Sequence, residues 1–371
     1  MTTLIRRCPD LTDLRRTVME DILTRSYCDG MLGPNVLLEH PDEPINTRRE
    51  LMFIALMAWE YTDPHGPMPG DERIRRVMFP ALEEIGARLP LQQFRKGEAG
   101  PGAFFALVPY TRAPGWLQGH VDEAWRVRRT EQAESLFAHA ERDLDRTHEY
   151  LNARALEAAG CLGLYQLTEK QHYLDRCHEC LDQLVARQYP CGAQPYHTGM
   201  WFWGRRPAQV YQFLSASLML HAGRELGRQD VIDFARRVVE YSLLATNRFG
   251  EAFVACYEGL HKATSLACAG RQWVAAAVLG DERFRGLASQ AYAVYADGIV
   301  DDPFSRHENF RHEALTEALA MGICSAPEPV PFTPPAGTHA LANISTVFVH
   351  QDRLDLAMTL LTGYSAFTEG S

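Results

Sequence analysis

Two side chains suited to proton transfer are one helical turn apart in the second half of the sequence. Tyr257 and His261 are four residues apart, so on a helix they would share one face. A phenol and an imidazole are groups that enzymes use to donate and accept protons at a reacting centre. Together with His197, from a separate stretch of the chain, they are the side chains that we expect to act as acid and base.

Glu258 and Glu308 provide a second set of catalytic candidates. Hydrolysis of a glycosidic bond requires two carboxyl groups that flank that bond, and Glu258 with Glu308 or Asp302 could form such a pair. The same sequence also fits two simpler roles. Glu258 and Lys262 could form a helix-surface ion pair, and Glu308 could orient the imidazole of His312, four residues later.

An aromatic and cationic loop is predicted between residues 188 and 212. Its glycine and proline residues interrupt any regular element, yet it is richer in aromatic rings than a solvated linker. Flat rings can stack on the faces of sugars, and guanidinium groups bind carboxylates or sulfates. The substrate-binding candidates of this loop are Tyr196, Trp201, Trp203, Arg205, Arg206 and Gln212. The same composition also fits a lid that packs on the core.

Polar residues recur where other apolar helices are predicted to begin. Repeated histidine, arginine and asparagine at such places exceed what helix capping requires. If these helices begin at one end of the fold, their dipoles add positive potential there and favour an anionic ligand. The further substrate-binding candidates are Arg49, Asn152, Arg306, His307 and Arg311.

The sequence lacks the spacings that define common metal and cofactor sites. His307 and His312 are five residues apart and do not share a helical face, and no HExxH or P-loop pattern occurs. Cys177 and Cys180 form a single CxxC without a second pair nearby, which favours ordinary helix cysteines over a zinc site. We therefore predict no metal and no cofactor. The alternative is a metal site assembled across helices from several of the histidines His197, His261, His307 and His312.

The composition predicts a soluble globular protein. The 371 residues are 46% hydrophobic and 23% charged, with a net charge of −10, which argues against a general nucleic-acid binder. Neither an apolar leader nor an uninterrupted apolar stretch of about 18 residues is visible, so no export signal and no membrane span are predicted. The nine cysteines are then expected to be reduced thiols in a cytoplasmic protein.

A repeat of about 50 residues organises the chain. Short polar turns recur, and those at Glu169, Gly227 and Gly280 are 58 and 53 residues apart. A period of 3.6 residues predicts paired helices around such turns. The predicted elements are a helix at 11–26, then 48–61 with 71–88, 101–108 with 121–141, 148–167 with 170–187, 207–226 with 228–245, 258–279 with 282–298, and 307–323 with a final element inside 340–364. Residues 346–350 could instead form a short strand.

The first helix of each pair is the more apolar, and the second carries more charge. An inner ring of apolar helices inside an outer amphipathic ring explains both features. The arrangement resembles the (α/α)6 toroid shared by six-hairpin glycosidases, many polysaccharide lyases and, in a related form, terpene cyclases. We therefore predict an all-α fold, an (α/α)6 toroid of helical hairpins with an extra N-terminal helix. It would be one domain over 1–371, with a lead-in at 1–47, hairpins at 48–323 and a proline-rich loop with a closing segment at 324–371.

This resemblance and the candidate residues together imply a glycan-active enzyme. The long connections would all emerge where the inner helices begin, so that the candidates surround one mouth. A lyase or hydrolase acting on an acidic sugar fits the aromatic and cationic residues, with a small molecule or oligosaccharide as the ligand and no nucleic acid or membrane. Two alternatives are a terpene cyclase-like or isomerase enzyme acting on an apolar precursor and a non-catalytic helical-repeat scaffold.

Overall fold

The computed structural model describes residues 9–24, 27–28, 31–32, 47–88, 101–141, 150–196, 207–249, 266–301, 311–341, 346–351 and 354–359. Within these ranges the α-helices are α1 (Leu11–Thr24), α2 (Thr47–Thr62), α3 (Glu72–Arg88), α4 (Pro101–Trp116), α5 (Glu123–Glu141), α6 (Leu151–Thr168), α7 (Gln171–Ala186), α8 (Gln209–Glu225), α9 (Gln229–Leu244), α10 (Leu266–Leu279), α11 (Arg285–Asp301) and α12 (Arg311–Ala320). The strands are β1 (Tyr27–Cys28), β2 (Met31–Leu32), β3 (Gly337–Leu341), β4 (Thr346–Gln351) and β5 (Leu354–Thr359).

The even-numbered helices form a closed inner ring. α2 packs against α4, and the contacts continue through α6, α8, α10 and α12 back to α2. These helices are covered by protein on most sides. In α8, for example, 13 of the 17 residues are buried, which requires neighbours in the outer ring as well as along the inner ring. The apolar composition that distinguishes these helices follows from this position.

The odd-numbered helices form the outer ring. α3 packs on α2, α5 on α4, α7 on α6, α9 on α8 and α11 on α10. Their buried residues recur every three or four positions, as Val231, Phe234 and Val238 do in α9, so only one face of each helix is apolar. The turns between inner and outer helices contain a residue with positive φ at Glu169, Gly227 and Gly280.

α1 occupies the outer position that corresponds to α12, because it packs between α11 and α3. Arg15 of α1 is 3% exposed, and its guanidinium group donates to Glu60 at 2.6 and 2.9 Å. Tyr292 Oη of α11 donates to the Pro9 carbonyl oxygen at 2.8 Å. The N-terminal helix therefore completes the outer ring, a place that the predicted pairing gave to an element inside 340–364.

The described part of 340–364 consists of strands. β3, β4 and β5 form an antiparallel sheet in that order, in which β4 alternates buried and half-buried residues. Phe348 of β4 packs against Tyr241 of α9, and His350 Nε2 lies 2.9 Å from the Leu244 carbonyl oxygen. The alternative of a strand at 346–350 is confirmed, and the expectation of a hairpin partner for α12 in this segment is wrong. Valine, phenylalanine and threonine in alternation suit a half-covered sheet better than a helix.

α4 extends beyond the predicted element at 101–108 and ends at Trp116. Pro109 follows that range directly, and a proline inside a helix removes a backbone hydrogen bond and usually bends or ends the helix. Here the helix continues past both Pro109 and Pro114. This continuation places Arg112 on the axis of the ring.

Candidate active site

A small cavity lies on the axis of the inner ring, with a volume of about 30 Å³. All six inner helices contribute to its wall. The lining residues are Ala55 of α2, Phe105, Val108, Pro109 and Arg112 of α4, Leu156 of α6, Leu218 of α8, Arg271 of α10, and Glu313, Thr316 and Glu317 of α12. Its wall is mostly apolar with a few polar groups, as in small-molecule sites, but its size is that of one or two water molecules.

Arg271 and Glu313 form the first charged pair of the cavity wall. Arg271 is 2% exposed, and it donates to the Glu313 carboxylate through Nη2 and to Ser217 Oγ through Nη1 at 2.8 Å. Because Arg271 is buried in an otherwise apolar helix, its charge depends on Glu313 for compensation. The pair therefore fixes a carboxylate in the wall.

Arg112, Glu317 and His221 form the second charged group. Arg112 Nη1 donates to Glu317 Oε2 at 2.5 Å, and His221 Nδ1 lies 3.2 Å from Glu317 Oε1. Burial raises the pKa of the Glu317 carboxyl, but the charge of Arg112 and the hydrogen bond with His221 outweigh burial and leave that pKa well below its ordinary range. Glu317 is therefore held as a carboxylate and is unsuited to donate a proton.

These two charged groups occupy successive levels along the axis. Glu313 precedes Glu317 by one helical turn, which separates their Cα atoms by about 6 Å along α12. The Glu313 level is nearer to the end at which the inner helices begin, which we call the mouth. The Glu317 level is nearer to the opposite end.

Tyrosine and amide side chains lie between the cavity and the mouth. Asn152 is one turn before Leu156, and Tyr211 is two turns before Leu218, so each shares a helical face with a residue that lines the cavity. The ring of Tyr196 stacks on that of Tyr211, with centroids 5.1 Å apart and planes at 9°. Both rings are half-buried. The route from the mouth to the cavity thus passes a stacked tyrosine pair.

A chain of hydrogen bonds holds the segment that carries Tyr196. Gln209 Nε2 donates to Tyr241 Oη at 3.1 Å, and Gln212 Nε2 donates to Gln209 Oε1 at 2.5 Å. The Gln194 backbone N–H then donates to Gln212 Oε1 at 3.3 Å. Because Gln212 is 2% exposed and both ends of its amide are used, its visible role is to position the loop. Direct contact between Gln212 and a substrate stays a prediction.

Solved structures of low sequence identity share this architecture. A chondroitin AC lyase of Streptomyces coelicolor A3, solved with chondroitin sulphate, is 12% identical with a TM-score of 0.55, over 92% of this chain and 48% of that chain. An unsaturated glucuronyl hydrolase of Bacillus sp. GL1 is 12% identical with a TM-score of 0.55, over 85% of this chain and 99% of that chain. The chain has the (α/α)6-toroid fold.

A D-mannose isomerase structure is also similar, at 12% identity with a TM-score of 0.57, over 83% of this chain and 97% of that chain. No family model and no curated protein matches the sequence. The chain spans about half the length of the chondroitin lyase. At 12% identity these similarities establish the fold alone.

Three of the predicted site residues are described with their side chains: Tyr196, Asn152 and Gln212. Arg49 lies in the first turn of α2 and Arg311 is the first residue of α12, so their backbones are at the mouth. The other candidates lie outside the described residues, namely His197, Trp201, Trp203, Arg205, Arg206, Tyr257, Glu258, His261, Arg306, His307 and Glu308. Their convergence around the mouth stays a prediction.

The described histidines and cysteines show no metal site. No group of three or more metal-ligating side chains occurs within the described ranges. His312 is 6% exposed and packs against the ring of Phe53, with centroids 4.9 Å apart. Cys177 and Cys180 are buried in the core, and burial raises the pKa of the Cys177 thiol to about 12. Among the helices that the structure describes, none is both long and apolar enough to cross a membrane.

Sequence reasoning missed the charged residues of the axis. None of the four was among the candidates. Arg112, Arg271 and Glu317 lie well inside their helices, and Glu313 lies in the first turn of α12. One signal was available: Arg271 is the one charged residue of α10, whose other residues are apolar apart from Gln272. A charged residue in such a run has to face either a buried partner or a cavity, and here it faces both.

Proposed function

We propose that this toroid is a glycan-active enzyme, a lyase or a hydrolase, whose substrate contains an acidic sugar. The observation that carries the proposal is the axial cavity, to which all six inner helices contribute, below a stacked tyrosine pair at the mouth. Aromatic rings at the entrance of a cavity provide flat surfaces for the apolar faces of a sugar ring. A non-catalytic repeat scaffold has no need of such a cavity or of arginines buried beside it.

The acidic character of the substrate is proposed from the arginines predicted at the mouth. Within the described ranges, Arg112 and Arg271 are each neutralised by a glutamate, so they are poor candidates for binding a free carboxylate. We assign that role to the mouth arginines Arg205, Arg206, Arg306 and Arg311, whose guanidinium groups bind carboxylates in a bidentate manner. The similar lyase was solved with chondroitin sulphate and the similar hydrolase degrades glycosaminoglycan, so the toroid is compatible with acidic glycans.

Proton transfer is assigned to Tyr257, His261 and His197. In a lyase, one of these groups removes the proton next to the carboxylate of the sugar, and another protonates the departing glycosidic oxygen. A hydrolase would instead use Glu258 and Glu308 as its pair of carboxyl groups. Of the two glutamates on the described axis, Glu317 is held ionised and Glu313 is bound to Arg271, so neither is assigned as the proton donor of that pair.

The test offers the purified chain chondroitin sulphate, hyaluronate, polygalacturonate and alginate in parallel. A lyase produces the ultraviolet absorbance of an unsaturated uronate together with new chain ends. A hydrolase produces new reducing ends without that absorbance. An isomerase produces neither the absorbance nor new reducing ends. It converts a free aldose into a ketose. The proposal fails if the folded chain turns over none of the four polymers or the oligosaccharides derived from them.

A further inference from the structure

Two buried amide side chains on the mouth side of the cavity lack hydrogen bonds. Asn152 is 7% exposed and Gln194 is 2% exposed. Asn152 Oδ1, Gln194 Oε1 and Gln194 Nε2 have no hydrogen-bond partner among the residues that the structure describes. Burying such groups without partners destabilises a folded chain, and nearly all buried polar atoms in proteins are paired. Other buried side-chain atoms in the described ranges are unpaired too, such as Arg271 Nε, but Asn152 and Gln194 are amides that lie near the mouth.

Asn152 faces the axis of the ring. It lies in the first turn of α6, one turn before Leu156, which lines the cavity. Residues four apart share a helical face. Its side chain therefore lies about 6 Å closer to the mouth than that of Leu156.

Gln194 lies close to the start of α6. Its N–H donates to Gln212 of α8, and the preceding residue, Ala193, packs against Tyr241 of α9 and Phe348 of the sheet. Two residues after Gln194, the Tyr196 carbonyl oxygen accepts from the Leu151 N–H at 3.2 Å. That bond brings the end of the loop to the start of α6.

Hydrogen bonds hold the backbone around Gln194. Gln212 Oε1 accepts from its N–H, and the Tyr189 N–H donates to the Ala193 carbonyl oxygen at 2.9 Å. Gln188 Nε2 donates to the carbonyl oxygens of Gly192 and Phe234, both at 2.9 Å. A side chain on such a fixed backbone is positioned before a ligand arrives, which reduces the entropy lost on binding.

We propose that Asn152 and Gln194 form a subsite for adjacent hydroxyl groups of a sugar ring. This inference rests on the proposed function and specifies which part of the substrate these residues bind. Two of the three unpaired atoms are carbonyl oxygens, which require hydrogen-bond donors. A carboxylate or sulfate offers only acceptors, so it cannot satisfy them. Hydroxyl groups both donate and accept, and they can satisfy all three atoms.

The subsite therefore recognises the neutral side of an acidic sugar. The three atoms are covered from solvent, so a sugar reaches them by displacing the groups above. None of these three atoms loses a hydrogen bond to a described residue in that displacement. The acidic group of the same sugar remains the ligand of the mouth arginines.

The experiment compares three probes that separate hydroxyl groups from charge. Sodium D-glucuronate has ring hydroxyls and a carboxylate, D-glucose has hydroxyls only, and sodium cyclohexanecarboxylate has a carboxylate only. Binding to the full chain is measured by NMR titration for wild type, Gln194→Leu and Asn152→Leu. The matched control is Gln166→Leu, an exposed glutamine near the other end of α6.

We expect Gln194→Leu and Asn152→Leu each to weaken glucuronate and glucose binding by about tenfold, since each removes hydrogen bonds to hydroxyl groups. Cyclohexanecarboxylate binding should not change in either variant, and Gln166→Leu should bind all three probes as wild type does. Sugar binding at the wild-type level in both Leu variants overturns the subsite, as does a folded wild-type chain that binds neither sugar. The subsite is also overturned if cyclohexanecarboxylate binding weakens as much as sugar binding does.

The melting temperature provides a second readout that needs no ligand. Leucine has a similar size to glutamine and removes the unpaired amide, so Gln194→Leu should melt at the wild-type temperature or about 2 °C above it. A clear decrease shows that the amide has a structural partner and overturns the proposal. The proposed function fails separately, because it is judged by turnover of the four glycans in the wild-type chain.

Discussion

At the scale of single residues, the charge of Glu317 is central to the described part of the site. Its side chain is 2% exposed and is bound by Arg112. Replacing one partner of a buried pair leaves the other charge uncompensated, which typically costs several kcal/mol. We therefore expect Glu317→Gln to lower the free energy of unfolding by about 3 kcal/mol in urea denaturation at neutral pH. Glu225→Gln, at an exposed position of α8, should change it by less than about 0.5 kcal/mol, and equal effects of the two would contradict this account.

The pH dependence of stability follows from the direction of the Glu317 pKa. Burial raises this pKa, but Arg112 and His221 lower it by more, so the folded-state pKa is below the unfolded-state value of about 4. The resulting stabilisation is complete above that value and is lost as the pH falls from about 5 through the folded-state pKa. Melting temperatures between neutral and acidic pH should therefore fall more steeply for wild type than for Glu317→Gln. Parallel curves would show that Glu317 is not the titrating group.

The catalytic assignment of His261 is testable by substitution. A general acid or base contributes about 100- to 10,000-fold to turnover, so His261→Gln should lose most activity on the glycan that wild type degrades. The melting temperature should stay the same. Tyr257→Phe should behave similarly, and the double variant should lose far less than the product of the two effects. Near-full activity of His261→Gln, or a variant that simply unfolds, would refute the assignment.

At the scale of elements, the loop that carries Gln194 and Tyr196 depends on Gly192. Its φ is +88°, and a Cβ there would lie 2.2 Å from the backbone oxygen of Arg237 in α9. Gly227 also has a positive φ, +64°, but a Cβ there would meet nothing within 4 Å. We expect Gly227→Ala to cost about 1 kcal/mol of unfolding free energy and Gly192→Ala about 2 kcal/mol more. Chemical denaturation of the two variants measures the difference, and similar costs would show that the contact with Arg237 is easily relieved.

Most helices could be predicted because their sequences are locally informative. α9 lies within the predicted range 228–245, and the turns at Gly227 and Gly280 are where the repeat placed them. Amphipathic periodicity and turn residues are properties of neighbouring positions in the sequence. The pairing of Arg271 with Glu313 is not encoded in neighbouring positions, because the two residues belong to different helices. A single charged residue in an apolar run predicts burial of a charge, but it does not identify the partner.

At the scale of the whole molecule, α1 closes the outer ring through long-range contacts. The bond from Tyr292 to Pro9 joins residues 283 positions apart. The sequence could predict the helix at 11–26 but not its place, since nothing in a local pattern records a partner at that distance. For the same reason the sequence could suggest that the last segment, 340–364, pairs with α12 as a hairpin. In the structure β4 of that segment packs against α9.

Substitution of Arg15 tests whether the outer ring depends on α1. Arg15→Met leaves Glu60, which is fully buried, without its cation, and we expect the free energy of unfolding to decrease by about 4 kcal/mol. Arg16→Met is the matched control, because Arg16 is 53% exposed and is paired only with Asp13 in the described ranges. Its effect should stay within about 0.5 kcal/mol. If Arg15→Met unfolds as wild type does, the ring does not depend on α1.

The central claim is that the mouth of this toroid turns over an acidic glycan. The most direct measurement is the initial rate on chondroitin sulphate, hyaluronate, polygalacturonate and alginate for wild type, Tyr196→Ala and Glu225→Gln in parallel. Wild type and Glu225→Gln should release either unsaturated uronate or new reducing ends from at least one polymer, at equal rates. Tyr196→Ala should lose about tenfold or more in kcat/KM, because it removes half of the stacked pair. No product from the folded wild-type chain, or an equal loss in Glu225→Gln at the opposite end of the ring, would contradict the claim.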